Sequence, residues 1–259
     1  MKLDIQAICH KGLVRENNED ALSIGGLFLR DDSTEIALTT PEDGFFYLLV
    51  SDGMGGHENG EQASRFTLDT LADKFNSGEI GAGNFVDDLR DCVYEISRKL
   101  NEQAALSGQL RPMGCTLTGI VWHYGRIWLI NAGDSRTYRF REGILRQLTT
   151  DETERGMSGN PEDSKLLLNC IGGGAEGHLR IEDLDGKILE GDKILICSDG
   201  LSDMVPDEEI ESIIGDGGNI VDLMRRACEN GGCDNISIIL AGVELSIIWT
   251  RPFRIWKTI

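Results

Sequence analysis

Basic side chains are scarce in this chain: 25 Lys and Arg stand against 44 Asp and Glu, a formal charge of −19 over 259 residues. Phosphate backbones call for Lys/Arg surfaces, so this balance excludes nucleic acid as the main partner. It also sets the body of the protein against anionic membranes. Histidine is scarcer still, with four residues far apart, and none of the seven cysteines forms a Cys-x-x-Cys pair. A zinc-binding pattern is therefore missing. Several cysteines lie inside apolar runs, as in Leu195-Ile196-Cys197, and their odd number reads as buried, reduced thiols in a reducing compartment. No apolar run approaches membrane-spanning length, and Met1-Lys2-Leu3-Asp4-Ile5 lacks the apolar stretch of a secretory leader. Internal repeats, low-complexity tracts and linkers are missing too. The expectation is a cytoplasmic monomer with one domain.

What the chain does have is a set of short apolar runs. Phe45–Val50, Leu117–Trp122, Ile127–Ile130, Lys193–Cys197 and Ile236–Leu240 read as buried strands, with Tyr124-Gly125 as a hairpin turn. Two longer segments have helical period instead. Ala63, Phe66, Thr67, Leu71 and Phe75 recur at three- and four-residue spacing, as do Phe85, Leu89, Val93, Ile96, Leu100 and Ala104. Shorter helices are expected after Pro206 and Asn219. Strands outnumber helices and follow one another directly, which favours an α+β class with antiparallel sheets. The Gly- and acid-rich segments Asp31–Asp43, Gly156–Asp163 and Gly172–Gly177 are expected to be surface loops.

Five acidic stretches carry the chemistry: Arg15-Glu16-Asn17-Asn18-Glu19-Asp20, Asp52-Gly53-Met54-Gly55-Gly56-His57, Gly133-Asp134-Ser135-Arg136, Asp199-Gly200-Leu201-Ser202-Asp203 and Asp234-Asn235. One such stretch is an ordinary turn. Five, each placed at the end of an apolar run, suggest hard oxygen ligands gathered from distant segments around divalent cations. Asp52 and Asp199 each follow a strand and precede a glycine, which permits a sharp turn and lets the Gly53 carbonyl approach a cation. Asp234 can add a third carboxylate. Such ligands select Mg²⁺ or Mn²⁺, and two ions about 3.5–4 Å apart hold and activate a water. Arg15 offers a planar fork for a phosphate. Together these groups suit hydrolysis of a phosphoester.

The order and wording of these stretches, with Gly114-Cys115-Thr116 between them, resemble the metal-dependent Ser/Thr protein phosphatases of the 2C type, in their bacterial single-domain form. The resemblance runs from about His10 to Val243. It implies a four-layer αββα sandwich of two antiparallel sheets flanked by helices, with a catalytic domain over residues 1–245 and an extension over 246–259. It implies hydrolysis of phosphoserine and phosphothreonine in proteins, opposite a Ser/Thr kinase. It also assigns roles: Asp52 bridges two Mn²⁺ or Mg²⁺ ions, the Gly53 carbonyl completes one, and Asp199 and Asp234 hold the other. Glu19 and Asp20 act directly or through water, Arg15 grips the phosphate, Asp134 and Asp203 match a third, weaker metal position, and Asn235 supports the ligands. Ser135 and Arg136 are read as structural. His57 stands three residues beyond the position of the histidine proposed as general acid in eukaryotic members, so it is a candidate for catalysis or substrate positioning with loop structure as the alternative. His10, His123 and His178 are read as incidental.

Two segments depart from the family pattern. Asp151–Pro161, where similar bacterial phosphatases carry a substrate-selecting flap, is short and acidic, and Asn169-Cys170-Ile171-Gly172 stands where an Arg-Ala-Leu-Gly type sequence is usual. The extension mixes aromatic, aliphatic and basic residues and is a membrane or partner contact, a segment packed on its own acidic body, or a merely variable extension. A pseudophosphatase that uses the fold to bind a partner is the competing function; retention of Asp52, Asp199 and Asp234 weighs against it.

Overall fold

A computed structural model describes residues 1–41, 43–56, 58–81, 83–107, 113–160, 162–174 and 176–244. His57 and the extension 246–259 lie outside the described residues, so the expectations for them are not addressed by the fold. One six-stranded sheet has the order β11 (Ile144–Gln147), β10 (Arg136–Arg141), β14 (Lys193–Cys197), β15 (Ile236–Glu244), β1 (Lys2–His10), β4 (Asp32–Thr39). The other has the order β13 (Arg180–Asp183), β9 (Arg126–Ala132), β8 (Leu117–His123), β5 (Phe45–Ser51), β2 (Ala21–Ile24), β3 (Leu27–Leu29). A small third sheet joins β12 (Ile171–Gly172), β7 (Gly114–Cys115) and β6 (Gly53–Met54). Neighbouring strands pair antiparallel, as in Leu48 opposite Ile120 and Ile196 opposite Ile239.

The continuous apolar runs follow from sheets that are covered on both faces. Side chains alternate along a strand, so Leu48 and Val50 of β5 face the layer between the sheets while Tyr47 and Leu49 face outward. Outside that face lie α1 (Glu58–Ser77) and α2 (Phe85–Ser107), which supply Leu68, Leu71, Phe75, Leu89, Val93 and Ile96. On the other side, β14 turns Ile194 and Ile196 inward, with Leu195 and Cys197 toward a third layer. That layer is closed by α4 (Asp199–Ser202), α5 (Asp207–Gly215) and α6 (Ile220–Glu229) through Leu201, Ile210, Ile214, Leu223 and Ala227. Helix α6 starts at a reciprocal cap: Asn219 accepts from the backbone N–H of Val221 and Asp222, and Asp222 accepts from that of Asn219. Three apolar layers between four layers of structure make the expected αββα sandwich.

Residues Asp31–Asp43, expected as a loop, contain strand β4, which pairs with β1 along its length. It is an edge strand: Ile36 and Leu38 pack on the inter-sheet layer while charged neighbours face solvent, so its apolar signal is halved and acidity dominates the sequence there. Tyr124 and Gly125 form the β8–β9 turn with φ of 47° and 77°, the left-handed pair that suits a two-residue hairpin. All seven cysteines are free; Cys9, Cys92, Cys115 and Cys197 are buried, but Cys233 is exposed because it sits in the Gly231–Asp234 turn rather than in a strand. Among the described residues no helix is long and apolar enough to cross a membrane.

Candidate active site

One end of the sandwich is where the chain passes from sheet to sheet. Residues 11–20 join β1 to β2, and residues 133–135 join β9 to β10. Antiparallel pairing brings the remaining acidic stretches to the same end. Ala21 of β2 is opposite Ser51 of β5, which sets Asp20 beside Asp52. β14 and β15 are neighbours, which sets the turn after Cys197 beside the turn before Ile236, and with them Asp199 and Asp234. Gly200 makes this approach possible, since a Cβ there would collide with the Asn235 carbonyl. Gly53 has the same function on the other side, with the Gly60 carbonyl and the Glu19 backbone in the space a side chain would need.

The carboxylates are held from behind by hydroxyls and amides. Ser198 donates to Asp20 Oδ2 at 2.7 Å and accepts from the Ser237 N–H at 3.0 Å. The Asp52 backbone is fixed on both sides by Thr116: its N–H donates to Thr116 Oγ1 (3.0 Å) and its carbonyl accepts from the Thr116 N–H (2.8 Å). Thr116 in turn shares a hydrogen bond with buried Ser135 at 2.7 Å. Asn235 ties the 11–20 loop to β15, donating to the carbonyls of Lys11 and Asn17 and accepting from the Glu19 N–H. Arg136 grips Asp151 through Nε and Nη2 and also reaches Tyr138 and Asp207, consistent with its structural assignment.

The most deeply set charges at this end are all carboxylates: Asp20, Asp52, Asp134 and Asp199. Burial, then Asp20, Asp199, Asp134 and Asp234, holds the Asp52 carboxyl well above the ordinary range. Asp20 and Asp199 are raised by burial first and by their carboxylate neighbours second. Asp134 is pushed up to about 7 by burial and then by Asp199 and Asp151. Asp20 Oδ1 and Asp199 Oδ1 are buried without a hydrogen-bond partner. Buried polar atoms are ordinarily satisfied, and buried charges are ordinarily paired. Two oxygens left over among converging carboxylates are suited to a hard cation.

Two shallow hollows flank this row. One, of about 280 Å³, is lined by Val14, Arg15, Glu19, Gly56, Asp234 and Asn235. The other, of about 330 Å³, lies under the flap and includes Asp134, Asp151, Lys165, Asp199 and Asp203. Each carries a cation on an outer carboxylate: Arg15 Nη2 donates to Asp234 Oδ2 at 2.6 Å, and Lys165 Nζ lies 2.5 Å from Asp203 Oδ1. Burial works against the Arg15 charge, but Asp234, Glu19 and Asp52 outweigh it and raise its pKa. Among the described residues no three Asp, Glu, His or Cys side chains converge on one point at ligating distance. The donor types and their burial fit divalent cations, while the outermost carboxylates are engaged by the protein's own cations.

The sequence-expected residues Asp20, Asp52, Asp134, Asp199, Asp203 and Asp234 thus meet at one end, with Arg15 at their edge. The Glu19 carboxylate turns toward Gly60 at the start of α1. The roles of Ser198 and Lys165 were not foreseen. Ser198 is signalled only as the residue between a strand and Asp199, and Lys165 has no local signal, since its partner is 38 positions away. Asn169 bonds Glu152 Oε2 and both backbone groups of His178, so it braces the base of the flap.

The protein phosphatase 2C family model matches residues 25–230. The chain belongs to the protein phosphatase 2C family. Relatives of the phosphatase include the serine/threonine phosphatase stp of Listeria monocytogenes, 29% identical over 253 residues that cover 91% of this chain and 94% of that one. The serine/threonine protein phosphatase PstP of Mycobacterium tuberculosis is 31% identical over 252 residues, covering 90% of this chain and 43% of that one. In three dimensions the phosphatase is similar to the catalytic domain of PstP solved in complex with two manganese ions, with a TM-score of 0.70 and 32% identity over 94% of this chain and 100% of that one. The protein is a metal-dependent protein serine/threonine phosphatase, and its substrates are phosphoproteins.

Proposed function

We propose that residues 1–245 form the catalytic domain and that Asp52, the Gly53 carbonyl, Asp199 and Asp234 hold two Mn²⁺ or Mg²⁺ ions, with Glu19 and Asp20 acting directly or through water. Asp134 and Asp203 are assigned to a third, weaker ion. The observation that carries this reading is the pair of buried, unpartnered oxygens on Asp20 and Asp199 among carboxyls that raise one another's pKa. Bound ions supply a water of lowered pKa and Lewis-acid stabilisation of the phosphoryl oxygens.

The chain's own residues do the rest. Arg15 exchanges Asp234 for the substrate phosphate, which its fork can bind through two parallel hydrogen bonds. Asn235 keeps the Arg15 loop in register with β15 while this happens. Ser198 and Thr116 hold Asp20 and Asp52 against the repulsion of their neighbours. His57 is retained as candidate proton donor to the leaving seryl or threonyl oxygen, or as a loop residue. The enzyme opposes a Ser/Thr kinase in the cytoplasm as a monomer.

The test is hydrolysis of a phosphothreonine peptide by the wild type and by Asp199→Asn, with Mn²⁺ and with EDTA. Turnover lost with the chelator and in the variant is expected. Turnover that persists in well-folded Asp199→Asn removes Asp199 from the metal site. Replacement of His57 by Gln is expected to lower the rate at pH values where the imidazole is protonated and to abolish the alkaline fall of the pH–rate profile if His57 donates a proton, and to leave the profile unchanged if the residue only shapes the loop.

A further inference from the structure

Two apolar side chains stand in the open at the catalytic end. Leu13 and Val14, directly before Arg15, are 66% and 63% exposed. Exposed apolar side chains are common one at a time, so what matters is how these two are held and what they face. The segment that carries them is pinned at both feet: the Asn235 side chain donates to the carbonyls of Lys11 and Asn17, at 2.8 and 2.9 Å. Between the feet, the Leu13 N–H donates to the Gly232 carbonyl at 2.9 Å. Gly12, with φ of 79°, passes so close to the Asp234 carbonyl that a Cβ would collide with it. The arch is thus held by its backbone rather than by burial of its apolar side chains. The chain bends at Leu13 and Val14; Leu13 leans on Gly232, while Val14 and Arg15 line the same hollow.

The hollow under the flap, whose arm opens with helix α3 (Glu154–Ser158), is lined by polar and charged side chains. The Arg15 hollow is otherwise lined by Glu16, Asn17, Glu19, Asp234 and Asn235, with Gly56. Among the described residues, Val14 is the one apolar side chain in either. We propose that Val14 is the wall of a side-chain subsite, and that the phosphatase prefers phosphoproteins with a leucine-like apolar residue directly beside the phosphoserine or phosphothreonine. The inference rests on the assignment of Arg15 to the substrate phosphate. A phosphoryl group on the Arg15 fork brings the peptide over this hollow, and consecutive Cα atoms are only about 3.8 Å apart, so the neighbouring side chain reaches the wall beside the arginine. At about 280 Å³ the hollow is smaller than the usual pocket for a whole drug-sized molecule, which suits one phosphoryl group and one side chain. An apolar side chain laid on Val14 leaves water together with it. A polar one loses hydration there and gains no partner from the wall. Because the arch is fixed beforehand, little ordering cost is set against the contact.

Steady-state kinetics on paired phosphothreonine peptides tests this. The members of one pair differ only in Leu or Ser directly before the phosphothreonine, and those of the other only in Leu or Ser directly after it. The wild type is expected to favour Leu by roughly 3- to 10-fold in kcat/KM in one of the pairs, at or below the low end of what an apolar group gains in an enclosed pocket. The difference is expected in KM, since the contact is made equally before and during the reaction. Val14→Ser is expected to bring the two peptides to parity, and Val14→Ile to keep the preference. Equal kcat/KM for Leu and Ser in both pairs overturns the proposal. So does a preference that Val14→Ser leaves intact, or one that Val14→Ile loses as fully as Val14→Ser. Arg15→Gln probes the reading beneath: it is expected to raise KM for all four peptides alike. An unchanged KM for all four removes Arg15 from the phosphate, a failure told apart from one at Val14. Melting temperatures of the variants close to that of the wild type serve as the control for folding.

Discussion

Between the two sheets, Leu48, Ile120, Ile194 and Ile239 are fully buried in one apolar layer. In the turns at the ends of these sheets, buried Asp20 and half-buried Asp199 each keep one buried carboxylate oxygen that bonds to nothing. The contrast is between a region optimised for the folded state and one that is strained without its ligand. In the layer, every side chain gains by leaving water. In the carboxylate row, burial and then neighbouring carboxylates raise the pKa of Asp52, Asp20 and Asp134, and the free energy is held in reserve for a cation. Functional sites are where such local costs collect, and the surrounding sandwich supplies the stability that offsets them.

Substitutions in the two regions should therefore separate activity from stability. The largest effect is expected for Asp199→Asn, with hydrolysis of a phosphothreonine peptide reduced by roughly 10³-fold. The same variant, freed of chelatable metal, is expected to melt at a higher temperature than the wild type, because a repelling buried charge has gone. A lower melting temperature would mean that the row is not a strained region at all. Next comes Leu48→Ala, expected to destabilise by about 2–5 kcal/mol in a denaturant titration while the fraction that remains folded keeps its turnover number. A loss of turnover out of proportion to unfolding would break the separation.

Asn235→Ala lies between the two regions, since its side chain is buried and bonded to Lys11, Asn17 and Glu19. It is expected to cost about 1–3 kcal/mol for the groups left unpaired, and to raise KM for the phosphopeptide because Arg15 loses its anchored loop. Smallest is the pH dependence of the metal-free protein. Asp134 is raised to about 7 from an ordinary value of about 4, so the folded state binds more protons than the unfolded state between those values. Stability is then greatest on the acid side of this window and falls as pH rises through 7. A decline of a few degrees in melting temperature between pH 5.5 and 8 is expected, abolished by saturating Mn²⁺.

Much of this was legible along the chain because the signals are local. The strands of the middle layers are unbroken apolar runs, since both their faces are covered. Helices α1 and α2 repeat their buried residues every three or four positions. Strand β4 was hidden because an edge strand buries only alternate residues, here Ile36 and Leu38, among Asp, Glu, Ser and Thr. The ligand candidates were legible as aspartates beside glycine at strand ends. What was not legible was their company. Ser198 beneath Asp20, Thr116 braced against Ser135, and Lys165 on Asp203 each depend on residues far apart in sequence.

The chain by itself determined the types of group available: acidic oxygen donors, one arginine of a kind suited to a phosphate at the edge of the first stretch, and apolar runs long enough for two sheets. Local order in sequence suffices for this, because strand, turn and helix depend on neighbours within a few positions. Tertiary structure alone decided which carboxylates share one buried end, how strongly they repel, and which cations of the protein answer them. Those are long-range electrostatic and packing terms. They come into being only when antiparallel pairing and the two sheet-to-sheet crossings bring residues 15, 20, 52, 134, 165, 199, 203 and 234 to one end of the sandwich.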